Sequence, residues 1–197
     1  ATPSSMEASY MEHLFFRELA CAIFLLLLGM ARYHYFVLAG TKPADRSSPA
    51  VNWARHVPAY CVSSAWAFYV AWLIIAPLQT VKWDKWSPNH WASDLLGWIA
   101  VAFLGAGLWL FCYSHYAIGR YWSIKVQIKP AHRLVVDGPY RHVRHPLYTA
   151  LFLGYLGTLL ALQSWTLLAG FPLFVASYLL FVKEEEKVME LGFGEAY

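Results

Sequence analysis

Apolar residues along this chain are gathered into long runs separated by short polar or proline-containing stretches. The runs occupy residues 17–39, 57–78, 95–118, 147–162 and 165–182. A membrane-spanning helix needs about 20 mostly apolar residues, so the first three runs are long enough to span and the last two are slightly short. The pattern predicts an all-α polytopic membrane protein with about five transmembrane helices. Within the third run, the small residues Gly105 and Gly107 favour close packing against another helix.

The last two runs are separated only by Gln163 and Ser164, which predicts an antiparallel helical hairpin. Because a hairpin returns to the side on which it began, the residues that precede and follow it should be neighbours. These residues are 145–148, which include His145 and Tyr148, and the acids at 184–186. The sequence therefore predicts that two polar helix ends meet at one face of the membrane.

Composition agrees with this class of protein. Apolar residues make up 59% of the 197 positions and charged residues only 14%, whereas soluble domains are about 45 to 50% apolar and about 25% charged. Disorder, a nucleic-acid-binding tail and a disulfide scaffold are excluded. Five spans leave no room for a soluble catalytic domain, so an enzyme of this size must build its site from helix ends and a short polar segment.

The charged residues are concentrated in one segment. Six of the fifteen basic residues lie within residues 120–144, against one acid, Asp137. The positive-inside rule makes this segment cytoplasmic, and five spans then place the N-terminus outside and the C-terminus in the cytoplasm. The basic segment also suits plain contact with anionic lipid headgroups, and this alternative stays open.

Two places carry more polar chemistry than topology requires. Pro146 is typical of the first turn of a helix, so His145 stands at a helix N-terminus, where free N–H groups favour an anionic group such as a carboxylate. The acids at 184–186 either bind ribose hydroxyls or an amine, or pair with the basic segment. The histidines and cysteines lack the spacing of a zinc site, and no metal is predicted.

Arg32 and His34 are polar interruptions near the end of the first run. Long cationic side chains at such positions commonly extend to the membrane interface, and that is the expectation here. A role in admitting the substrate is the alternative.

In residues 119–197 the chain resembles the isoprenylcysteine carboxyl methyltransferase family and its relatives among the phospholipid methyltransferases. The matching elements, in chain order, are Gly119-x-x-Trp122-Ser123, His132-x-Leu134-Val135, Gly138-x-Tyr140, Arg144-His145-Pro146-x-Tyr148, Glu184 to Glu186 and Phe193-Gly194-Glu195-x-Tyr197. The resemblance divides the chain into an N-terminal transmembrane part, residues 1–118, and a cofactor-binding catalytic region, residues 119–197.

The resemblance implies methyl transfer from S-adenosylmethionine to a lipophilic acceptor that arrives from the bilayer, at a cofactor site open to the cytosol. The cofactor contacts that it implies are Gln127, His132, Arg133, Leu134, Val135, Tyr140, His145, Pro146, Leu147, Tyr148 and Glu185. The candidate catalytic residues are Glu185, His145 and Glu184. For an acceptor that must lose a proton, His142 and Glu186 are further candidate bases.

One position departs from the family pattern. Family members that methylate a carboxylate carry an arginine four residues before the position of Glu185, and this chain has Phe181 there. The departure argues against carboxylate methylation and favours a lipid amine or a lipophilic thiol. Phospholipid amine N-methylation is therefore the main alternative. A nicotinamide-dependent membrane reductase and a non-catalytic lipid-binding membrane protein are the further ones.

Overall fold

The computed structural model describes residues 3–38, 86, 90–122 and 133–197. These residues form four long helices: α1 (Pro3–Leu38), α2 (His90–Ile118), α3 (Pro146–Leu162) and α4 (Trp165–Phe193). Short 3-10 turns occupy Gly119–Tyr121, Gly138–Arg141 and Gly194–Ala196. The predicted span at 57–78 and the predicted cofactor contacts Gln127 and His132 lie outside the described residues.

The all-helical class is confirmed for the described part of the chain. Two segments there, Ser93–Tyr121 and Trp165–Ala196, are long and apolar enough to cross a membrane, and Pro146–Leu162 is apolar but shorter. Large apolar side chains on these helices face outward, with Trp98 75% and Leu179 64% exposed. Such a surface suits lipid rather than water. The number of spans and the orientation of the termini stay predictions.

The predicted hairpin is observed, and its two-residue connection explains how the chain reverses. Gln163 ends α3 in the left-handed region, with φ 51° and ψ 46°. Ser164 then starts α4, because its side-chain oxygen accepts a hydrogen bond from the amide of Leu167 at 3.2 Å. Tyr155 joins the two helices by donating to the carbonyl oxygen of Leu167 at 2.8 Å.

Helices α2 and α3 pack closely because glycines face the contact. A Cβ atom on Gly107 would lie 2.9 Å from the carbonyl oxygen of Ala150 and 3.1 Å from the amide nitrogen of Gly154. A Cβ on Gly157 of α3 would likewise lie 3.0 Å from the carbonyl oxygen of Ala100 on α2. A Cβ on Gly105 would meet nothing within 4 Å among the described residues. In the part of the chain that the structure describes, Gly107 is therefore the member of the predicted glycine pair that makes a close contact.

A polar network fixes the end of the bundle where the hairpin turns. Arg17 of α1 donates to the Ser93 hydroxyl at 2.8 Å and to the Asp94 carboxylate at 3.0 Å. Ser93 in turn accepts a hydrogen bond from the Gln163 side-chain amide at 3.0 Å. The Arg17 side chain is only 10% exposed. This network ties α1, α2 and the hairpin turn together at the end opposite His145.

Candidate functional site

The segment before α3 is folded by a glycine-proline turn that rests on α2. Gly138 has φ +62°, a conformation that suits glycine, and an added Cβ would lie 3.3 Å from both Ala117 and Tyr113. Pro139 is buried, and its carbonyl accepts from the amides of His142 and Val143. The turn therefore holds Tyr140 and the following residues against the end of α2.

At the end of this segment, His145 caps α3 and Pro146 occupies the first turn, as the sequence predicts. The carbonyl of His145 accepts from the amide of Thr149 at 3.1 Å. The imidazole then projects beside Tyr148, with the two rings stacked at 5.5 Å between centroids. Two of the predicted contact residues thus form one flat surface at the start of α3.

This surface faces the acids of α4. The Tyr148 hydroxyl donates to Oε2 of Glu185 at 2.7 Å. Nδ1 of His145 lies 3.5 Å from Oε2 of Glu185, and Nε2 lies 3.3 Å from Oε1 of Glu186. The predicted meeting of the two helix ends is therefore observed. We call His145, Tyr148, Glu185 and Glu186 the polar cluster.

The C-terminal residue closes one side of the polar cluster. The Tyr197 hydroxyl lies 3.4 Å from Nε2 of His145, and Cζ of Arg144 lies 5.0 Å from the centroid of the Tyr197 ring. Gly194, at φ +58°, ends α4 and turns the chain back toward His145. The sequence element Phe193-Gly194-Glu195-x-Tyr197 contains this tyrosine, but the sequence analysis assigns no role to it. The signal that could have identified it is an aromatic residue three positions after the glycine that ends the helix.

Burial and the nearby carboxylates together shift the pKa values of the side chains around the polar cluster. Burial alone lowers the pKa of His145, but the hydrogen bonds and charges of Glu185 and Glu186 outweigh it, so the net shift of the pKa is upward. Burial, and then the charge of Glu185, raises the pKa of Tyr140. Burial and the same acids raise the pKa of Tyr197 to about 12. Both phenols are therefore neutral donors at physiological pH, and His145 favours its cationic form more than an ordinary histidine.

The other predicted site residues make different contacts within the described part of the chain. Glu184 pairs with Lys187 at 2.7 Å on the outer side of α4. Arg133 pairs with Asp137 at 3.5 Å, and both side chains are largely exposed.

The apolar residues among the predicted contacts differ in burial. Leu134 and Val135 are half-buried beside Arg133, while Pro146 is buried and Leu147 packs on the core. The predicted pairing of acids with the basic segment occurs once within the described residues, between Arg144 and Glu186 at 3.9 Å.

The arrangement combines complementary binding groups within a small space. The first N–H groups of α3 and the imidazole favour an anionic group, whereas two adjacent carboxylates favour an amine, hydroxyls or a cationic centre. A zwitterionic ligand with hydroxyl groups fits this donor set. Among the described residues, no group of three or more His, Cys, Asp or Glu side chains could hold a metal ion.

Comparison with known proteins agrees with the sequence resemblance. Residues 98–191 match the model of the isoprenylcysteine carboxyl methyltransferase (ICMT) family. The matched segment runs from α2 through both helices of the hairpin and includes every member of the polar cluster. The resemblance to this family is confirmed over that segment.

Three curated proteins are similar to the chain. An uncharacterized protein of Haemophilus influenzae is 27% identical over 128 residues, which are 62% of this chain and 67% of that protein. The uncharacterized protein YpbQ of Bacillus subtilis is 30% identical over 42% of this chain and 47% of its own length. The nickel-cobalt-cadmium resistance protein NccN of Alcaligenes xylosoxydans xylosoxydans is 31% identical over 50% of this chain and 46% of its own length. The chain thus spans about half the length of two of these relatives.

Proposed function

We propose that this chain, which is related to the isoprenylcysteine carboxyl methyltransferase family through residues 98–191, is an integral-membrane methyltransferase. It takes its methyl group from S-adenosylmethionine and delivers it to a lipophilic acceptor. The observation that supports this most is the polar cluster: His145 and Tyr148 face Glu185 and Glu186 across the open end of an apolar hairpin.

The donor set of the polar cluster fits S-adenosylmethionine. This cofactor carries a carboxylate, an amine, ribose hydroxyls and a sulfonium, and it supplies an activated methyl group. His145 and the first amides of α3 would hold the carboxylate. Glu185, kept in place by the Tyr148 hydroxyl at 2.7 Å, would accept from the amine or the ribose hydroxyls. The charge of Glu185 contributes to the raised pKa of Tyr140. Tyr140 would therefore line the same space.

The work of the protein in this reaction is mainly positioning. The leaving group is already activated, so holding donor and acceptor in line supplies much of the rate enhancement. The two carboxylates fix His145, and the Tyr197 hydroxyl lies against Nε2 of its ring. The apolar walls of α3 and α4 exclude water from the reacting atoms and so prevent hydrolysis.

The location of the polar cluster suits both reactants. In the proposed orientation the cluster lies at the cytosolic face, with the N-terminus outside and the C-terminus in the cytoplasm. The polar cofactor would arrive from water, and the acceptor from the lipid that contacts the exposed apolar faces of α2 and α4. Both proposed access routes would then meet at the end of the hairpin that carries the polar cluster.

Phospholipid amine N-methylation is the second candidate, and Phe181 is the observation that favours it. The Phe181 ring lies 5.8 Å from the Tyr148 ring at an interplanar angle of 85°. This position on α4 is therefore occupied by an apolar edge-to-face contact and offers no cation to an acceptor carboxylate. An amine acceptor must lose a proton, and the neutral form of His145 or the Glu186 carboxylate would accept it.

Two substitutions test the assignment of the cofactor site. His145→Ala and Glu185→Ala should each weaken binding of S-adenosylhomocysteine to the purified chain by about tenfold or more, because each removes charge-assisted hydrogen bonds. Isothermal titration calorimetry in detergent measures this. Lys187→Gln is the matched control, since Lys187 lies two residues from Glu185 on the exposed side and should leave the affinity unchanged. Unchanged affinity in both alanine variants would contradict the assignment.

Incorporation of label from methyl-labelled donor into lipid extracts tests the reaction itself. Label should appear in the lipid fraction with the wild-type chain and fall sharply with Glu185→Ala. The chemical class of the labelled product then separates an amine from a thiol or a carboxylate acceptor. Tight cofactor binding with no labelled product from any of these classes would count against a methyltransferase.

A further inference from the structure

Arg32 is a cationic residue that does not belong to the polar cluster. It lies in the apolar part of α1, fifteen residues after Arg17 and hence about 22 Å further along the helix axis. Since Arg17 marks the end of the bundle where the hairpin turns, Arg32 belongs to the end that carries the polar cluster. A cation at membrane depth is costly and usually faces a partner or a functional cavity.

Arg32 makes a cation–π contact with a buried aromatic ring. Its guanidinium carbon lies 4.8 Å from the centroid of the Trp122 ring. A guanidinium carries five N–H donors, so this contact does not use up its capacity to bind an anionic group. Within the described part of the chain, no acidic side chain forms an ion pair with Arg32. The residue as a whole keeps exposed surface, which leaves room for a ligand beside the side chain.

The surroundings of Arg32 connect it to the polar cluster. Its charge acts on the hydroxyl groups of Tyr148 and Tyr178, whose rings contact each other at 5.4 Å. Tyr148 is the same residue that donates to Glu185. Tyr148 therefore lies near both Arg32 of α1 and Glu185 of α4.

We propose that Arg32, held over Trp122, binds an anionic group of the lipophilic acceptor and thereby positions the acceptor beside the polar cluster. The group is a carboxylate or a phosphate, because both accept two parallel N–H bonds from one guanidinium. The proposal rests on the proposed function, since it assigns the acceptor side of the same site. It also changes the expectation from the sequence, in which Arg32 extends to the interface as an anchor.

The test compares probes that differ only in charge. Farnesylthioacetate carries a carboxylate, and its primary amide is neutral with the same prenyl thioether. The full chain in phosphatidylcholine nanodiscs should bind the carboxylate more tightly than the amide. Arg32→Gln should weaken carboxylate binding by about tenfold or more, the effect of losing charge-assisted hydrogen bonds, and leave amide binding unchanged. Arg32→Lys should retain part of the preference, because it keeps the charge and loses the planar fork.

A second arm separates the two sources of the anionic group. Phosphatidic acid added to the nanodiscs should compete with farnesylthioacetate on the wild-type chain if Arg32 takes a lipid phosphate. The absence of competition, with the carboxylate preference intact, assigns the site to a carboxylate acceptor. Arg120→Gln is the matched control, since Arg120 is also stacked over an aromatic ring, that of Tyr121 at 5.0 Å. Its substitution should change neither response.

The outcomes distinguish this proposal from the proposed function. If Arg32→Gln binds farnesylthioacetate and responds to phosphatidic acid as the wild type does, Arg32 is not the anion site and the inference is wrong. The affinity for S-adenosylhomocysteine, measured on the same samples, should be the same in the wild type and in Arg32→Gln. A wild-type chain that binds no S-adenosylhomocysteine but shows the anion preference would refute the methyltransferase and keep the anion site.

Discussion

Gly107 and Gly105 lie two residues apart on α2, and the structure predicts opposite effects when each is replaced by alanine. A Cβ on Gly107 would lie 2.9 Å and 3.1 Å from backbone atoms of Ala150 and Gly154. Backbone atoms of a packed helix cannot move aside individually, so α2 and α3 must separate. Overpacking of this kind costs about 1 to 3 kcal/mol.

A Cβ on Gly105 would meet no atom of the described helices within 4 Å. Gly105→Ala should therefore stabilise the chain by about 0.5 to 1 kcal/mol, the difference in helix propensity between the two residues. The two variants should then differ by about 1.5 to 4 kcal/mol. Because the substitutions are chemically identical and share one helix, detergent and expression effects largely cancel between them.

Thermal unfolding of the two variants in the same detergent measures this difference, with circular dichroism as the signal. Gly107→Ala should unfold below the wild type and Gly105→Ala at or above it. Since α3 carries His145, Gly107→Ala should also weaken binding of S-adenosylhomocysteine, whereas Gly105→Ala should not. If Gly105→Ala lowers the unfolding temperature as much as Gly107→Ala does, the α2 and α3 packing described above is wrong.

Four other predictions rest on named contacts. Arg17→Gln should destabilise the chain by about 1.5 to 3 kcal/mol, since Arg17 makes two short hydrogen bonds in a nearly buried setting. Arg133→Gln, which removes an exposed pair, should cost about 1 kcal/mol or less in the same unfolding assay. Tyr148→Phe should weaken S-adenosylhomocysteine binding less than Glu185→Ala does, because it frees the carboxylate but leaves it in place. The raised pKa of His145 predicts a pH-dependent contribution to stability that is complete below the unfolded value of about 6.5 and lost as pH rises through the folded value. His145→Gln should remove this part of the pH dependence of the unfolding temperature, and an unchanged profile would contradict it.

Much of the site was predictable because it depends on local chain geometry. Two residues between apolar runs require a hairpin, and a hairpin requires that His145 and Glu185 lie near each other. Pro146 and Gly138 likewise define a helix start and a turn from their own conformational limits. These inferences need only backbone preferences, which a single sequence carries.

Which of the three consecutive acids at 184–186 face α3 depends on the rotation of α4 about its own axis. Neighbouring residues on a helix point about 100° apart, and the sequence does not state which of them faces α3. In the structure Glu185 and Glu186 face His145, whereas Glu184 pairs with Lys187 on the outer side. Glu184 therefore remains a predicted catalytic residue without support from the geometry.

Contacts between helices that are distant in the sequence could not be predicted for a different reason. Arg32 meets Trp122 only because α1 packs beside the end of α2, and no periodicity along α1 indicates which neighbour it has. The same limit applies to Gly105 and Gly107, which are equivalent in the sequence and differ in which side of α2 meets α3. Helix pairing, unlike helix position, is decided by tertiary packing.

The central claim is that the polar cluster binds S-adenosylmethionine, and binding of S-adenosylhomocysteine to the purified chain tests it most directly. At a ligand concentration of about 100 times the dissociation constant, the wild type should gain about 2.7 kcal/mol of stability. The gain should largely disappear in Glu185→Ala and persist in Lys187→Gln. A wild-type chain that shows no stabilisation at millimolar ligand, or a Glu185→Ala variant stabilised as much as the wild type, would contradict the account.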